Sequence, residues 1–527
     1  MALLLGLDIS ALTALVSGGA ALLGSLYVYL TWNYDFWKKR GVAHPEPVPF
    51  FGTVKDFLLM RQTEGEILQD QYKQFPDEKF VGGYRMRQPY LLLRDLDLIK
   101  TVMVKDFDSF HDRRFPVDEK AMPLSAHVFN LKGRRWRALR AKMTPAFTSG
   151  KTRLMFQLMS DCGHALSRHL DAPAARGDAM EMREMLAQFA TDVIGSCALG
   201  LQMHAMDDPD SEFRRVGRAV FEPTAANMAR RLTLLFFPPL ARALGLSFEG
   251  RRITDFFTRA VREMVRFREE EGVQRHDFID LLLQLKRHGS VQEDKEAAGE
   301  DAQLLANAVH SGDDIQMTDN LLAAQVFVFF IAGFETSSTA SSFALYEMAL
   351  NPDVQERLRD EVDEAMADNG GHLTYDAIQN MRYLDMVWNE SLRKYPPGNN
   401  LVRVVTRDYK MPGSDVQLPK GLWVNIPVMA IHHDPKYYPD PQRFDPERFS
   451  EEEKAKRPHY AFLPFGEGPR ICIGMRFGIL QGKLGLAMLL SKYRFSPCAR
   501  TKVPLRFDPK SLVTASDDGI WLKIEAR

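Results

Sequence analysis

No charged side chain occurs between Asp8 and Asp35. A helix of that run, rising about 1.5 Å per residue, exceeds the roughly 30 Å apolar core of a bilayer. Tyr27, Tyr29, Trp32, Tyr34 and Trp37 crowd its far end, and Lys38, Lys39 and Arg40 follow at once. Amphipathic rings favour the lipid–water interface and basic residues favour the cytosolic side. The pattern predicts a single-pass anchor with its amino terminus in the lumen. A cleaved signal peptide needs a basic segment before a shorter apolar run, whereas here the basic residues come after it.

Pro45, Pro47 and Pro49 then fix φ and resist helix. The organisation read from the chain is an anchor over 1–37, a basic, proline-rich hinge over 38–52, and a body over 53–527. No internal repeat is visible. Helical apolar spacing marks 68–75, 150–170, 180–200, 255–286, 319–350, 353–367, 380–395 and 474–492. Strand patterns mark Phe80–Leu93 and Leu401–Val428. The expected class is therefore mainly α with small β-sheets (α+β). The polar, acidic stretch 287–318 reads as a surface connector. The run 232–240, apolar but broken by prolines, reads equally as a core loop or a second membrane contact.

A net charge of −1 supplies no global field for nucleic acid. The four cysteines form no C-x-x-C pair, which argues against structural zinc, and so few in so long a chain indicate a reducing compartment.

One cysteine stands in unusual company: Phe465-Gly-Glu-Gly-Pro-Arg-Ile-Cys472-Ile-Gly474. Glycines at 466, 468 and 474 let backbone approach something flat and rigid. Arg470 can meet an anion at its edge. A helix starting near Gly474 turns its positive end toward the sulfur and favours the thiolate. These are the demands of one face of a haem. By itself, the cysteine is better read as a buried structural residue in a glycine-rich turn.

The segment satisfies F-x-x-G-x-R-x-C-x-G and resembles the haem-binding signature of the cytochrome P450 superfamily, with Cys472 as axial ligand to iron and Phe465, Gly466, Arg470 and Gly474 around the cofactor. Other motifs carry the same resemblance. Glu390-Ser-Leu-Arg393 and Pro446-Glu-Arg448-Phe are similar to the E-x-x-R and meander motifs, which implies a buried structural network. Trp136-Arg-Ala-Leu-Arg140 resembles the W-x-x-x-R whose indole and guanidinium reach haem propionates, and Arg403 and, more weakly, Arg113 are further candidates. Ala332-Gly333-Phe334-Glu335-Thr336 is similar to A-G-x-[DE]-T, implying space over the cofactor at Ala332 and Gly333 and proton delivery by Glu335 and Thr336.

Pro123–His127, Ala146–Gly150 and Phe329–Ser337 are worded most like insect-type microsomal members related to the vertebrate drug-metabolising group. Arg114 departs from them, since glycine is frequent there. The resemblance implies a monooxygenase with haem b, O2, a lipophilic substrate and electrons from NADPH through NADPH-cytochrome P450 reductase, held at the endoplasmic reticulum membrane. Lys132, Arg134, Arg135, Arg137 and Lys142 are read as a docking face for that reductase, against a merely solvated basic face. A reductase-independent peroxide isomerase and a non-catalytic haem sensor are the alternatives. The first tends to lack the acid–threonine pair; the second needs neither that pair nor a donor surface.

Overall fold

The computed structural model describes residues 9–222, 224–272, 277–288 and 315–527. Most of the expected connector 287–318 lies outside the described residues. Backbone contacts divide the chain into two compact units: Met1–Phe110 with Asn400–Ala430, and His111–Asn399 with Ile431–Arg527.

In the first unit the charge-free run forms helix α1 (Ile9–Thr31), with Val16, Leu22, Leu23 and Leu26 exposed. Helix α2 (Glu64–Gln74) begins on a capping box in which Thr63 and Glu66 satisfy each other's backbone N–H. The segment expected as strand is a hairpin, β1 (Phe80–Arg85) and β2 (Gln88–Leu93), paired from Phe80 with Leu93 to Arg85 with Gln88. The second β region supplies β4 (Leu401–Val404), β5 (Tyr409–Lys410), β6 (Gln417–Leu418) and β7 (Trp423–Ile426). The four-stranded sheet runs β1-β2-β7-β4, with β2 parallel to β7. Residues 38–52 lie against it: Gly82 N–H donates to the Ala43 carbonyl at 2.8 Å, and Gly52 bridges Arg85.

The second unit carries α3 (Gly133–Met143), α4 (Phe156–Arg176), α5 (Met182–Ile194), α6 (Glu212–Phe221), α7 (Ala225–Phe236), α8 (Pro238–Ala243), α9 (Arg251–Glu271) and α10 (Phe278–His288). It continues with α11 (Asp319–Leu350), α12 (Pro352–Asp368), α13 (Arg382–Lys394) and α14 (Met475–Leu490). A small sheet orders β3 (Ala179–Glu181), β9 (Trp521–Ala526) and β8 (Tyr493–Pro497). Helix α11 starts on Thr318, whose hydroxyl accepts the Leu321 N–H at 3.2 Å. It is apolar and long enough to cross a membrane, yet mostly buried among α5, α9, α13 and α14. It is a core helix.

Two expectations needed correction. The helix anticipated over 255–286 is two, because Gly272 takes a left-handed cap (φ +64) and Arg268 folds back onto Asp277 and Asp280. The run 232–240 is not a loop: α7 extends to Phe236, and Pro238 opens α8 as a first-turn proline.

Candidate active site

Ahead of α14 the chain closes into a tight loop. The Cys472 N–H donates to the Phe465 carbonyl and the Ile471 N–H to the Gly468 carbonyl, both at 2.9 Å. Gly466 and Gly468 hold φ at +74° and +71°, a region that side chains rarely enter. His432 pins the base, its Nε2 accepting the Leu463 N–H at 2.8 Å. Gly474 caps α14; a β-carbon there would meet open space.

Cys472 presents open surface, yet burial pushes its thiol up, while the Gly474 N–H and the guanidinium groups of Arg140 and Arg113 draw it down. Arg140 behaves alike. It is half-buried by area, but burial lowers it to about 10, opposed by the Cys472 sulfur. A group that is both open and desolvated lies in a recess, and the mutual influence of sulfur and guanidinium sets the two near each other. Among the described residues no carboxylate pairs with Arg140.

Trp136, buried on the same helix, lies under the Arg470 guanidinium, which sits 3.8 Å from its ring. Arg470 donates to the carbonyls of His111 (2.9 Å), Val128 (3.2 Å), Phe129 (3.3 Å) and Leu131 (2.7 Å). Those bonds stitch the 111–131 segment to the cysteine loop. Arg113 donates to the Phe129 and Arg470 carbonyls, each at 3.2 Å.

On α11, Ala332 is exposed and Thr336 half-buried although Phe330 and Phe334 are fully covered. One face of a core helix therefore borders open space. The Thr336 hydroxyl donates to the Ala332 carbonyl at 2.7 Å. Gly333 serves a neighbouring face: a β-carbon there would come 2.6 Å from Ile194 Cδ1, so its smallness lets α5 approach. Buried Glu335 is ion-paired with Arg183 of α5. Farther along, a β-carbon at Gly478 would stand 4.0 Å from Ser337 Oγ, which brings this stretch of α11 beside the start of α14.

The Glu390–Arg393 pair is bidentate at 2.8 Å and fully buried; Arg393 also reaches the His432, Pro441 and Arg443 carbonyls. Arg448 approaches Glu390 at 3.6 Å. This is the expected structural network. Within the first unit, Arg403 is buried on β4. Its Nε lacks a hydrogen-bond partner among the described residues, and burial alone pushes the group down to about 10.

Arg183 and His432 were not singled out by sequence. Nothing in Met182-Arg-Glu-Met185 distinguishes an arginine that will meet a carboxylate on another helix.

The residues fit a haem. A lone sulfur suits a metal that brings its other ligands: among the described residues no group of three or more His, Cys, Asp or Glu could hold a bare ion. The glycine loop gives a rigid face room. Arg140, a cation without an acid partner among the described residues, suits a cofactor that brings carboxylates.

The family model for cytochrome P450 matches residues 42–522. The chain is 41% identical to "Probable cytochrome P450 6a14" of Drosophila melanogaster, over 97% of this chain and 99% of that one. It is 39% identical to "Cytochrome P450 6k1" of Blattella germanica, over 95% of each, and 38% identical to "Cytochrome P450 6B6" of Helicoverpa armigera, over 96% and 97%.

Proposed function

This chain belongs to the cytochrome P450 family and is a monooxygenase oxidoreductase, and from that premise we propose that it inserts one atom of O2 into a lipophilic small molecule, xenobiotic or endogenous (lipid, terpenoid or steroid), with electrons drawn from NADPH through NADPH-cytochrome P450 reductase. Family membership implies haem. Held through Cys472, haem b supplies dioxygen binding and reductive O–O cleavage, which a strongly donating thiolate favours. Burial raises the Cys472 thiol, and the Gly474 N–H with the nearby Arg140 and Arg113 offsets part of that rise in favour of the thiolate. Trp136, Arg140, Arg470 and Arg403 are the polar groups assigned to the cofactor's carboxylates, and Phe465, Gly466 and Gly474 shape the loop against its face.

Proton delivery falls to α11. Thr336 can turn its Oγ1 from the Ala332 carbonyl into the open space at no cost to the helix ladder. The Glu335 carboxylate, one residue before, is the acid of this pair, held in place by Arg183. The observation that carries the reading is the sulfur of Cys472, open yet desolvated, on a loop that only glycines can make.

We assign the protein to the endoplasmic reticulum membrane, with α1 as its anchor and the body toward the cytosol. Exposed Val16, Leu22 and Leu23 support the anchor. Phe237, Leu240 and Leu244, exposed around α8, support a second, shallow membrane contact. Lys132, Arg134, Arg135 and Arg137, exposed at the start of α3, support a cationic docking face for the reductase.

The test is reconstitution of the full chain with haem. A carbon-monoxide difference spectrum of the reduced protein should show thiolate ligation, and oxidation of a lipophilic panel should need both NADPH and the reductase. Product formed from peroxide-bearing substrates alone, with none from NADPH and reductase, would overturn it.

A further inference from the structure

Helix α9 (Arg251–Glu271) turns one face inward. Phe256, Phe257 and Val261 are buried, and the Phe257 ring meets Phe327 and Phe330 of α11 at 5.2 and 5.5 Å. Its outer face carries charge in a fixed order. Arg252, Asp255, Arg259, Glu263, Arg266 and Glu270 are all exposed, and they follow one another at steps of three, four, four, three and four residues. Steps of that size keep pace with the helical turn, so the six form one straight stripe. Its sign alternates at every step, from cation at Arg252 to anion at Glu270.

Opposite charges three or four residues apart can pair along their own helix. Here they do not. Asp255 meets Arg251, which lies off the stripe, at 3.7 Å, and the side chains of the other five have no ion pair or hydrogen bond among the described residues. At the edge of the stripe Phe267 is 54% exposed, an aromatic ring left to water.

The order of the charges selects the partner. An anionic membrane calls for a face that is basic throughout, and three interleaved acids oppose it. An alternating stripe that begins on a cation and ends on an anion is its own complement when reversed. An antiparallel copy sets Arg252 opposite Glu270, Asp255 opposite Arg266 and Arg259 opposite Glu263, and all three pairings centre close to Val261. A two-fold axis there makes each pairing twice. A parallel copy in the same register would set like charge on like.

We propose that the outer face of α9 is the contact through which two copies of this chain associate, antiparallel, about a two-fold axis near Val261. A contact one helix wide is small for an interface. Confinement of both copies to one bilayer by α1, on the anchor reading above, raises the effective concentration at which they meet. The contact requires neither turnover nor the reductase, so it stands or falls apart from the monooxygenase reading.

The test is energy transfer between donor- and acceptor-labelled full chains in neutral phosphatidylcholine vesicles. Wild-type transfer should exceed that of randomly placed chains and decline as salt is added. Arg259→Glu alone and Glu263→Arg alone each turn two attractive pairings repulsive, and each should weaken self-association about three- to tenfold. Mixing these two variants should restore wild-type transfer, because each then offers the charge the other needs. The double variant Arg259→Glu with Glu263→Arg should associate with itself as the wild type does, yet fail to associate with wild-type chains. That last pair of results also guards against misfolding, since a damaged helix would lose both. Random-level transfer in the wild type would overturn the contact. So would single variants that associate normally, a mixture that is not restored, or a double variant that pairs freely with the wild type.

Discussion

The second unit buries arginine in two opposite ways. Around α13, Arg393 meets a bidentate carboxylate and backbone carbonyls, and both partners are 0% exposed. Beside the Cys472 loop, half-buried Arg140 is desolvated but faces a sulfur and, among the described residues, no acid. The first arrangement is complete in the protein alone and can only hold structure. The second, on the reading proposed above, is completed by something the chain binds. Counting which buried cations have acids thus separates scaffold from site without reference to any motif.

The sharpest way to break that distinction is Cys472→Ala. We expect complete loss of the thiolate-type carbon-monoxide spectrum, with the α13 network and haem-free stability nearly unchanged. Cys162→Ala, Cys197→Ala and Cys498→Ala should each retain the spectrum. A thiolate spectrum surviving in the Cys472 variant would mean another sulfur does the work.

Next in size is Glu390→Gln. It strands Arg393 in the core and should destabilise the fold by about 3–5 kcal/mol in denaturant unfolding. Arg140→Met, its counterpart at the site, should change haem-free stability by less than about 1 kcal/mol while haem is lost more readily on dilution. If both substitutions cost the same in the haem-free protein, the two regions do not differ as argued.

Thr336→Ala probes the site side alone. Haem content and substrate-induced spin shift should stay as in the wild type, whereas product per NADPH should fall several-fold, on the order of one lost general acid–base contact. Unchanged coupling would remove Thr336 from proton delivery.

The smallest effect is expected outside both regions. Arg135→Glu with Arg137→Glu should slow reduction a few-fold at low ionic strength, and the deficit should shrink as salt screens the docking face. Peroxide-driven turnover should not change. Equal losses by both routes would indicate damage to α3, in which Arg135 already pairs with Glu119.

What the sequence disclosed follows the same division. The Cys472 loop was readable because its glycines, arginine and cysteine are neighbours along the chain. Helices α11 to α14 were readable because their apolar spacing is long and regular. Arg183 was not: it meets Glu335 across 152 positions, and nothing local encodes that choice. The break at Gly272 was hidden by apolar spacing that continues on both sides. Helices α7 and α8 went unassigned because prolines interrupt an apolar run that turns out to be helical around them. Gly333 was read toward the cofactor space, whereas the neighbour that demands glycine is Ile194 of α5.

The junction after α1 has a mechanical side. Turns continue the backbone hydrogen bonding from Trp32 through Phe36. Trp37 is then fully buried, its indole N–H donating to the Gly83 carbonyl at 3.0 Å and its ring filling the place of a β-carbon at Gly82. The Tyr84 hydroxyl donates to the Tyr34 carbonyl at 2.9 Å and accepts the Trp37 N–H at 3.1 Å. The helix is thus a beam clamped at one end, and a change in its tilt reaches the sheet as torque, with little slack to absorb it. A soluble form cut after residue 37 would pull the clamp's pin out of the sheet; a cut after Thr31 would leave the pin in place.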